Sequence, residues 1–181
     1  VSVTDEIPED MSWPLVVMGV SGVGKTTVAR LIAEALGARF VDADDLHSPA
    51  SIRKMSAGVA LTDDDRWPWL ERVGDALNDR HRTVVACSAL RRAYRSVLSD
   101  RAPGVSFIHL TAPVTRINEM SSARVGHFMP VTLLDSQLQT LEPLGSDERG
   151  TVIHVDDSPK ELAARALARI RTLHGSVAPG Q

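Results

Sequence analysis

The sequence predicts an α/β domain with a mostly parallel sheet covered by helices on both faces. Three observations carry the prediction. Short β-rich apolar runs alternate with amphipathic stretches, and strand–helix–strand units of this kind pair in parallel and bury both faces. Residues 18–30, MGVSGVGKTTVAR, hold the spacing G-x-x-x-x-G-K-[ST] as Gly19, Gly24, Lys25 and Thr26, between an apolar run and an amphipathic one. The 181 residues, 43% of them hydrophobic, suffice for one proper core, and neither a repeat nor a low-complexity linker divides them. One domain is expected over 13–175, between loose tails at 1–12 and 176–181.

The elements follow in order. PLVVMGV (14–20) reads as a buried strand. Thr26 to Leu36 sets Val28, Leu31, Ile32, Ala35 and Leu36 along a helix that stops at Gly37. ARFVDA (38–43) is a second strand, followed by a polar loop. A helix is expected from Trp69 to about Asp79, a third strand at TVVACS (83–88) and a helix from Leu90 to Leu98. VSFIHL (105–110) is a fourth strand, with a helix from about Val114. The loop RVGHFMP (124–130) precedes a helical stretch near 131–141, and TVIHVD (151–156) is a fifth strand. Ser158 caps a last helix, with Pro159 at its first position and Leu162, Ala166, Leu167 and Ile170 on one face.

Composition excludes several classes. A net charge of -3 and a pI near 6.1 give no electrostatic case for nucleic acid or an anionic membrane. No apolar stretch approaches a membrane span, and the opening VSVTDEIPED is acidic where a secretory signal is basic, so a soluble cytoplasmic protein is expected. The single cysteine, Cys87, excludes an internal disulfide and, in its apolar run, reads as a buried, unreactive thiol.

The glycine-rich segment is a phosphate loop. Glycines let the backbone fold around an anion, so that successive N–H groups and a helix N-terminus face the phosphates. The expected cradle is Gly19, Ser21, Gly22, Val23, Gly24, Lys25, Thr26 and Thr27, holding ATP; Lys25 reaches the β- and γ-phosphates and Thr26 offers a hydroxyl to Mg²⁺. No Asn-Lys-x-Asp guanine reader occurs, and the chain leaves little room for a motor ATPase, so a small phosphotransferase fits best. FVDADDLH (40–47) sets Asp42 and Asp44 at the carboxyl end of the second strand, where open α/β sheets bind ligands. Two residues apart, they share a face of an extended segment. One carboxylate can orient hydrated Mg²⁺, Asp42 being the candidate, and the other can take a proton from an attacking hydroxyl; the spacing leaves open which does which.

Read further, DADDLHSPASIRKMSAGVALTDDDRWPWL (42–70) resembles the gluconokinases, small P-loop kinases. The resemblance lies in Asp42, Asp44, Leu46-His47, Lys54-Met55, Gly58, Leu61, Asp63-Asp64-Asp65-Arg66 and Pro68-Trp69-Leu70. It continues in CSALRRAYR (87–95) and GHFMPVTLLDSQLQTLE (126–142), and covers roughly residues 14–170. It implies the nucleoside-monophosphate-kinase type of P-loop fold: three α/β/α layers, a five-stranded parallel sheet and a small lid at about 120–131. It implies phosphorylation of D-gluconate by ATP at the 6-hydroxyl, feeding pentose phosphate or Entner–Doudoroff metabolism, and membership of a family whose proteins are often dimers. Substrate contacts would come from Asp44, His47, Lys54, Arg66, Arg91 and His127, and Arg124 on the lid would join Lys25, Asp42 and Asp44 in catalysis. LGSDERG (144–150) would border the adenine.

The residues themselves also admit plainer roles. Aspartates in TDDDR complement a helix N-terminus, Trp67 and Trp69 pack, and Ser88 caps the next helix. Two positions depart from the family pattern: Met120 stands where an arginine is usual, with Arg116 one turn earlier, and Ser51 stands where asparagine is common. A shikimate-kinase-like enzyme, or a nucleotide-binding regulatory module with little turnover, is the alternative; shikimate kinases carry a glycine-rich loop where this chain has Cys87-Ser88-Ala89-Leu90.

Overall fold

The computed structural model describes residues 14–79, 81–122 and 131–175. The tails expected at 1–12 and 176–181 lie outside the described residues, as does the heart of the expected lid, with Arg124, Gly126 and His127. Five strands, β1 (Leu15–Met18), β2 (Arg39–Asp42), β3 (Thr83–Ala86), β4 (Ser106–Thr111) and β5 (Gly150–His154), form one parallel sheet in the order β2-β3-β1-β4-β5. From β1 the chain crosses to the edge strand β2 and then works back through β3, past β1, to β4 and β5, so neither neighbour of β1 is next to it in sequence. That topology opens a crevice beyond the carboxyl end of β1.

Helices α1 (Lys25–Ala35) and α7 (Pro159–Gly175) cover one face. There Val17, Ile108, Leu110 and Ile153 meet Val28, Ile32, Ala166 and Ile170. Helices α3 (Asp63–Leu77) and α4 (Arg92–Arg101) cover the other, where Val16, Met18, Val85 and Phe107 meet Leu70, Val73, Leu77 and Leu98. Alternate residues of one strand thus feed two separate cores, the three-layer arrangement that continuous apolar strands require. Cys87 is buried among them, and loss of solvent pushes its thiol up to about 12, so it is inert as expected.

The acidic segment is more ordered than the sequence suggests. A 3₁₀ turn (Ala43–Leu46) follows β2, and α2 (Pro49–Ser56) occupies part of the expected loop. Ser48 caps α2 through the Ser51 N–H at 3.1 Å, with Pro49 at its start, the same signal that marks Ser158-Pro159. Helix α3 begins six residues before the expected Trp69. Thr62 and Asp65 form a reciprocal capping box there, and three aspartates lie in its first turn. Helices α5 (Val114–Ser122) and α6 (Val131–Thr140) flank residues 123–130, which lie outside the described residues. No helix among the described residues is long and apolar enough to cross a membrane.

Candidate active site

The phosphate loop leaves β1 at the crevice. A Cβ on Gly19 would stand 2.6 Å from the Leu110 carbonyl oxygen, so only glycine lets the loop turn against β4; its φ of +139° suits glycine as well. Gly24 caps α1 in the left-handed region. Val23 turns its side chain into the core, leaving its backbone to the loop, whereas Thr27 is exposed on α1. The Lys25 ammonium donates to the Val20 carbonyl at 3.1 Å, and the Ser21 N–H donates to the Gln137 side-chain oxygen at 2.7 Å.

Asp42 and Asp44 divide their work. Asp42 Oδ2 accepts the Thr26 hydroxyl at 3.0 Å and its Oδ1 accepts the Asp44 N–H at 3.2 Å, so both oxygens are engaged. Asp44 is open to solvent on one side. Even so, the cleft walls strip enough water from its carboxylate to raise its pKa, and the Asp42 charge adds to this; Lys25 and His47 pull the other way. A carboxyl held above its usual range beside a phosphate loop is a candidate general base.

His47 stacks on Trp69, with ring centroids 4.4 Å apart, while Trp69 Nε1 donates to the Ala43 carbonyl at 2.7 Å. Arg72 Nε holds the Leu46 carbonyl at 2.8 Å. Helix α3 therefore fixes the acidic turn, and Trp69 has the packing role expected of it. Burial lowers the His47 pKa, helped by Arg72 and Arg66 against Asp44. Its Nδ1 is buried with no hydrogen-bond partner among the described residues.

Asp63 gathers the basic residues. Its Oδ1 accepts from the Tyr94 hydroxyl at 2.6 Å and from Arg66 at 3.3 Å, and its Oδ2 accepts from Arg91 at 2.8 Å. Two guanidiniums thus converge on one carboxylate, with the Tyr94 ring beneath both. Asp63 is more than the solvated turn residue the sequence allowed. Lys54 is placed differently: its ammonium lies 2.7 and 2.8 Å from the Asp65 oxygens, joining α2 to α3. Those hydrogen bonds, with the ones from Thr62, lower the Asp65 pKa to about 2. Trp67 packs edge-on against Tyr94.

Several plainer expectations change. Ser88 does not cap α4, whose N-cap is Arg91 without a side-chain bond; its carbonyl instead accepts the Gly19 N–H at 3.3 Å. Ser51 serves the α2 cap. Arg116 pairs with Glu119. Residues 144–150 run along α4, tied by Arg92–Asp147 and Arg95–Glu148, to where Gly150 enters β5 at the amino end of the sheet, opposite the phosphate loop. Sequence reasoning passed over Arg95. It is 0% exposed, and its guanidinium binds Glu148 and the carbonyls of Ala89, Leu90, Glu142 and Pro143. It thereby supports Ala89, whose φ of +44° is rare for a residue with a Cβ. An arginine on the apolar face of a helix was the available signal.

Comparison with known proteins agrees with this geometry. Residues 15–144 match the family model described as an AAA domain. The chain is 48% identical over 138 residues to a gluconokinase of Gluconobacter oxydans (strain 621H), covering 74% of this chain and 78% of that one. A solved gluconokinase from Sinorhizobium meliloti 1021 superposes with a TM-score of 0.87 at 45% identity, over 92% of this chain and 96% of the other. A shikimate kinase from Aquifex aeolicus vf5 superposes at 0.56 and 13% identity, over 90% and 98%, a likeness of fold alone. With its phosphate loop, paired aspartates and sheet order in place, the chain belongs to the gluconokinase family of P-loop kinases.

Proposed function

We propose that this chain transfers the terminal phosphoryl group of ATP to the 6-hydroxyl of D-gluconate, giving ADP and 6-phospho-D-gluconate. One observation carries the reading. The Lys25–Thr26–Asp42–Asp44 group and the Arg66–Arg91–Asp63 cluster are set by neighbouring elements: the acidic turn is bonded to α3, and α3 carries the cluster. A donor cradle and an anion-binding surface on one scaffold suit an acceptor with a carboxylate at one end and a primary hydroxyl at the other.

The Thr26 hydroxyl and the Asp42 carboxylate are hard oxygen donors 3.0 Å apart, a set that fits Mg²⁺. Bound there, Mg²⁺ would supply charge neutralisation at the phosphates. Asp44 takes the proton of the 6-hydroxyl, its raised pKa matching it to that task. His47, whose pKa burial lowers, offers Nε2 to a substrate hydroxyl. Arg66 and Arg91 each meet Asp63 through Nη1 alone, and their other guanidinium N–H groups would pair the gluconate carboxylate. Lys25 and Arg124 stabilise the transferring group, and His127 adds a substrate contact from the lid. Homodimer assembly belongs to the same reading, and size-exclusion chromatography with light scattering measures it.

The test is ADP release with D-gluconate, shikimate or no acceptor. Turnover with gluconate alone, and a product phosphorylated at carbon 6, is the expected result. ATP binding without turnover on any sugar acid overturns the proposal.

A further inference from the structure

The peptide unit joining Val20 to Ser21 is held on both sides. Its carbonyl accepts from the Lys25 ammonium at 3.1 Å, and its N–H donates to Gln137 Oε1 at 2.7 Å. Lys25 is the group that reaches the β- and γ-phosphates in a loop of this kind, so Gln137 lies one peptide plane from the terminal-phosphate end of the cradle.

Gln137 sits on the inward stripe of α6. Leu134 is buried in the core one turn before it, and Leu138 and Leu141 pack beside it. A polar side chain in that stripe needs a polar partner, and the phosphate loop provides one. Only the oxygen of a carboxamide can accept from an N–H, so the Ser21 bond sets which way the group faces and leaves Nε2 with two donors on its other branch. The far end of α6 is also anchored: the Glu142 N–H donates to the Leu90 carbonyl at 2.8 Å, and Glu142 Oε2 accepts the Arg92 N–H at 2.6 Å. The helix that follows the lid is therefore pinned on both the phosphate loop and the loop after β3.

We propose that Gln137 is a further phosphate-binding residue. Its Oε1 stays on Ser21, and its Nε2 donates to the terminal phosphoryl group of ATP. The proposal rests on the ATP half of the proposed function and is independent of the acceptor. It predicts discrimination between ATP and ADP, because ADP lacks the group that Nε2 would meet.

Calorimetric titration of the full chain with ATP and with ADP, beside Gln137→Ala and Gln137→Glu, tests it. In Gln137→Ala, ATP affinity is expected to fall about tenfold, the loss of one charge-assisted hydrogen bond, with ADP affinity unchanged. Gln137→Glu is nearly isosteric and still accepts from Ser21, so the fold is kept. It cannot donate and repels the phosphate, so ATP binding should fall further while ADP binding holds. Equal losses for ATP and ADP would mean that Gln137 only props the loop, and would overturn the proposal. Unchanged or tighter ATP binding in Gln137→Ala would overturn it too, by showing that the amide merely fills the loop until phosphate arrives. If the unaltered chain binds ATP but does not phosphorylate gluconate, the acceptor reading fails and the titration still decides the role of Gln137.

Discussion

The terminal methyl of Met120 stands 3.5 Å from the point that a Cβ on Gly24 would occupy, so α5 rests a thioether on the N-terminus of α1. This is the position where the family pattern usually has arginine. An apolar side chain there closes the loop by packing and adds no charge. Met120→Arg is expected to lower the KM for ATP by about threefold to tenfold, because a charge-assisted hydrogen bond outweighs the cost of ordering the longer side chain. ATP titration in the ADP-release assay measures this. An unchanged KM would show that the backbone cradle suffices.

Asp44→Asn is expected to lower kcat by about 10²–10⁴ with little change in ATP affinity, since a positioned base contributes on that scale. The base must be unprotonated to act, and burial with the Asp42 charge raises its pKa. Activity should therefore fall as pH drops through that raised value, with an acid limb above the ordinary aspartate range near 4. A kcat within threefold of the parent would remove Asp44 from the role.

Asp63→Asn separates the two basic groups that the sequence treated alike. Arg66 and Arg91 would lose their shared anchor, and the KM for gluconate should rise on the order of tenfold, with kcat less affected. Lys54→Ala should leave that KM nearly unchanged, because its ammonium is committed to Asp65. The pair is solvent-screened, so its loss should change stability little. A large KM change in Lys54→Ala would return Lys54 to the substrate.

Arg95→Ala should be among the most damaging substitutions away from the phosphate loop. It strands Glu148 and four carbonyls inside the protein, and breaking a buried pair typically costs about 3–5 kcal/mol. Denaturant unfolding measures the loss. Destabilisation below about 1 kcal/mol would mean that water replaces the guanidinium.

His109 makes stability pH-dependent. It is buried on β4 with Nε2 lacking a hydrogen-bond partner among the described residues, and burial, with the nearby Arg95 charge, lowers its pKa to about 4. Between about 6.5 and 4 the unfolded chain binds a proton that the folded chain refuses, so this contribution to stability is lost as pH falls through that window. His109→Gln should flatten the dependence measured by urea unfolding at pH 7.5 and 4.5. Equal slopes in both proteins would place the effect elsewhere.

The donor half of the site was legible in the sequence because its chemistry is local. The G-x-x-x-x-G-K-[ST] spacing carries its own geometry once a strand precedes it and a helix follows, and DADD begins on the last residue of β2. The strands were legible for a similar reason: continuous apolar runs in a parallel sheet have few other places to go. Helix α2 was missed although Ser48-Pro49 announces it, because its short sequence is mostly exposed and carries little periodic signal. The start of α3 was hidden by Pro68, which reads as a boundary but lies inside the helix.

The acceptor half depended on residues distant in sequence. Nothing in TDDDR says that Asp63 meets Tyr94 and Arg91, 31 and 28 positions away, or that Asp65 claims Lys54. Nor does the phosphate loop reveal that a glutamine 116 residues on will take the Ser21 N–H. By itself the sequence determined the class of fold, the donor loop and the family, since these rest on short-range spacing and apolar pattern. Only the tertiary structure decided which charges pair, which aspartate stays engaged with Thr26 and which has a raised pKa. Pairing and desolvation are properties of neighbours in space, and packing α3, α4 and α6 around one sheet edge chooses those neighbours.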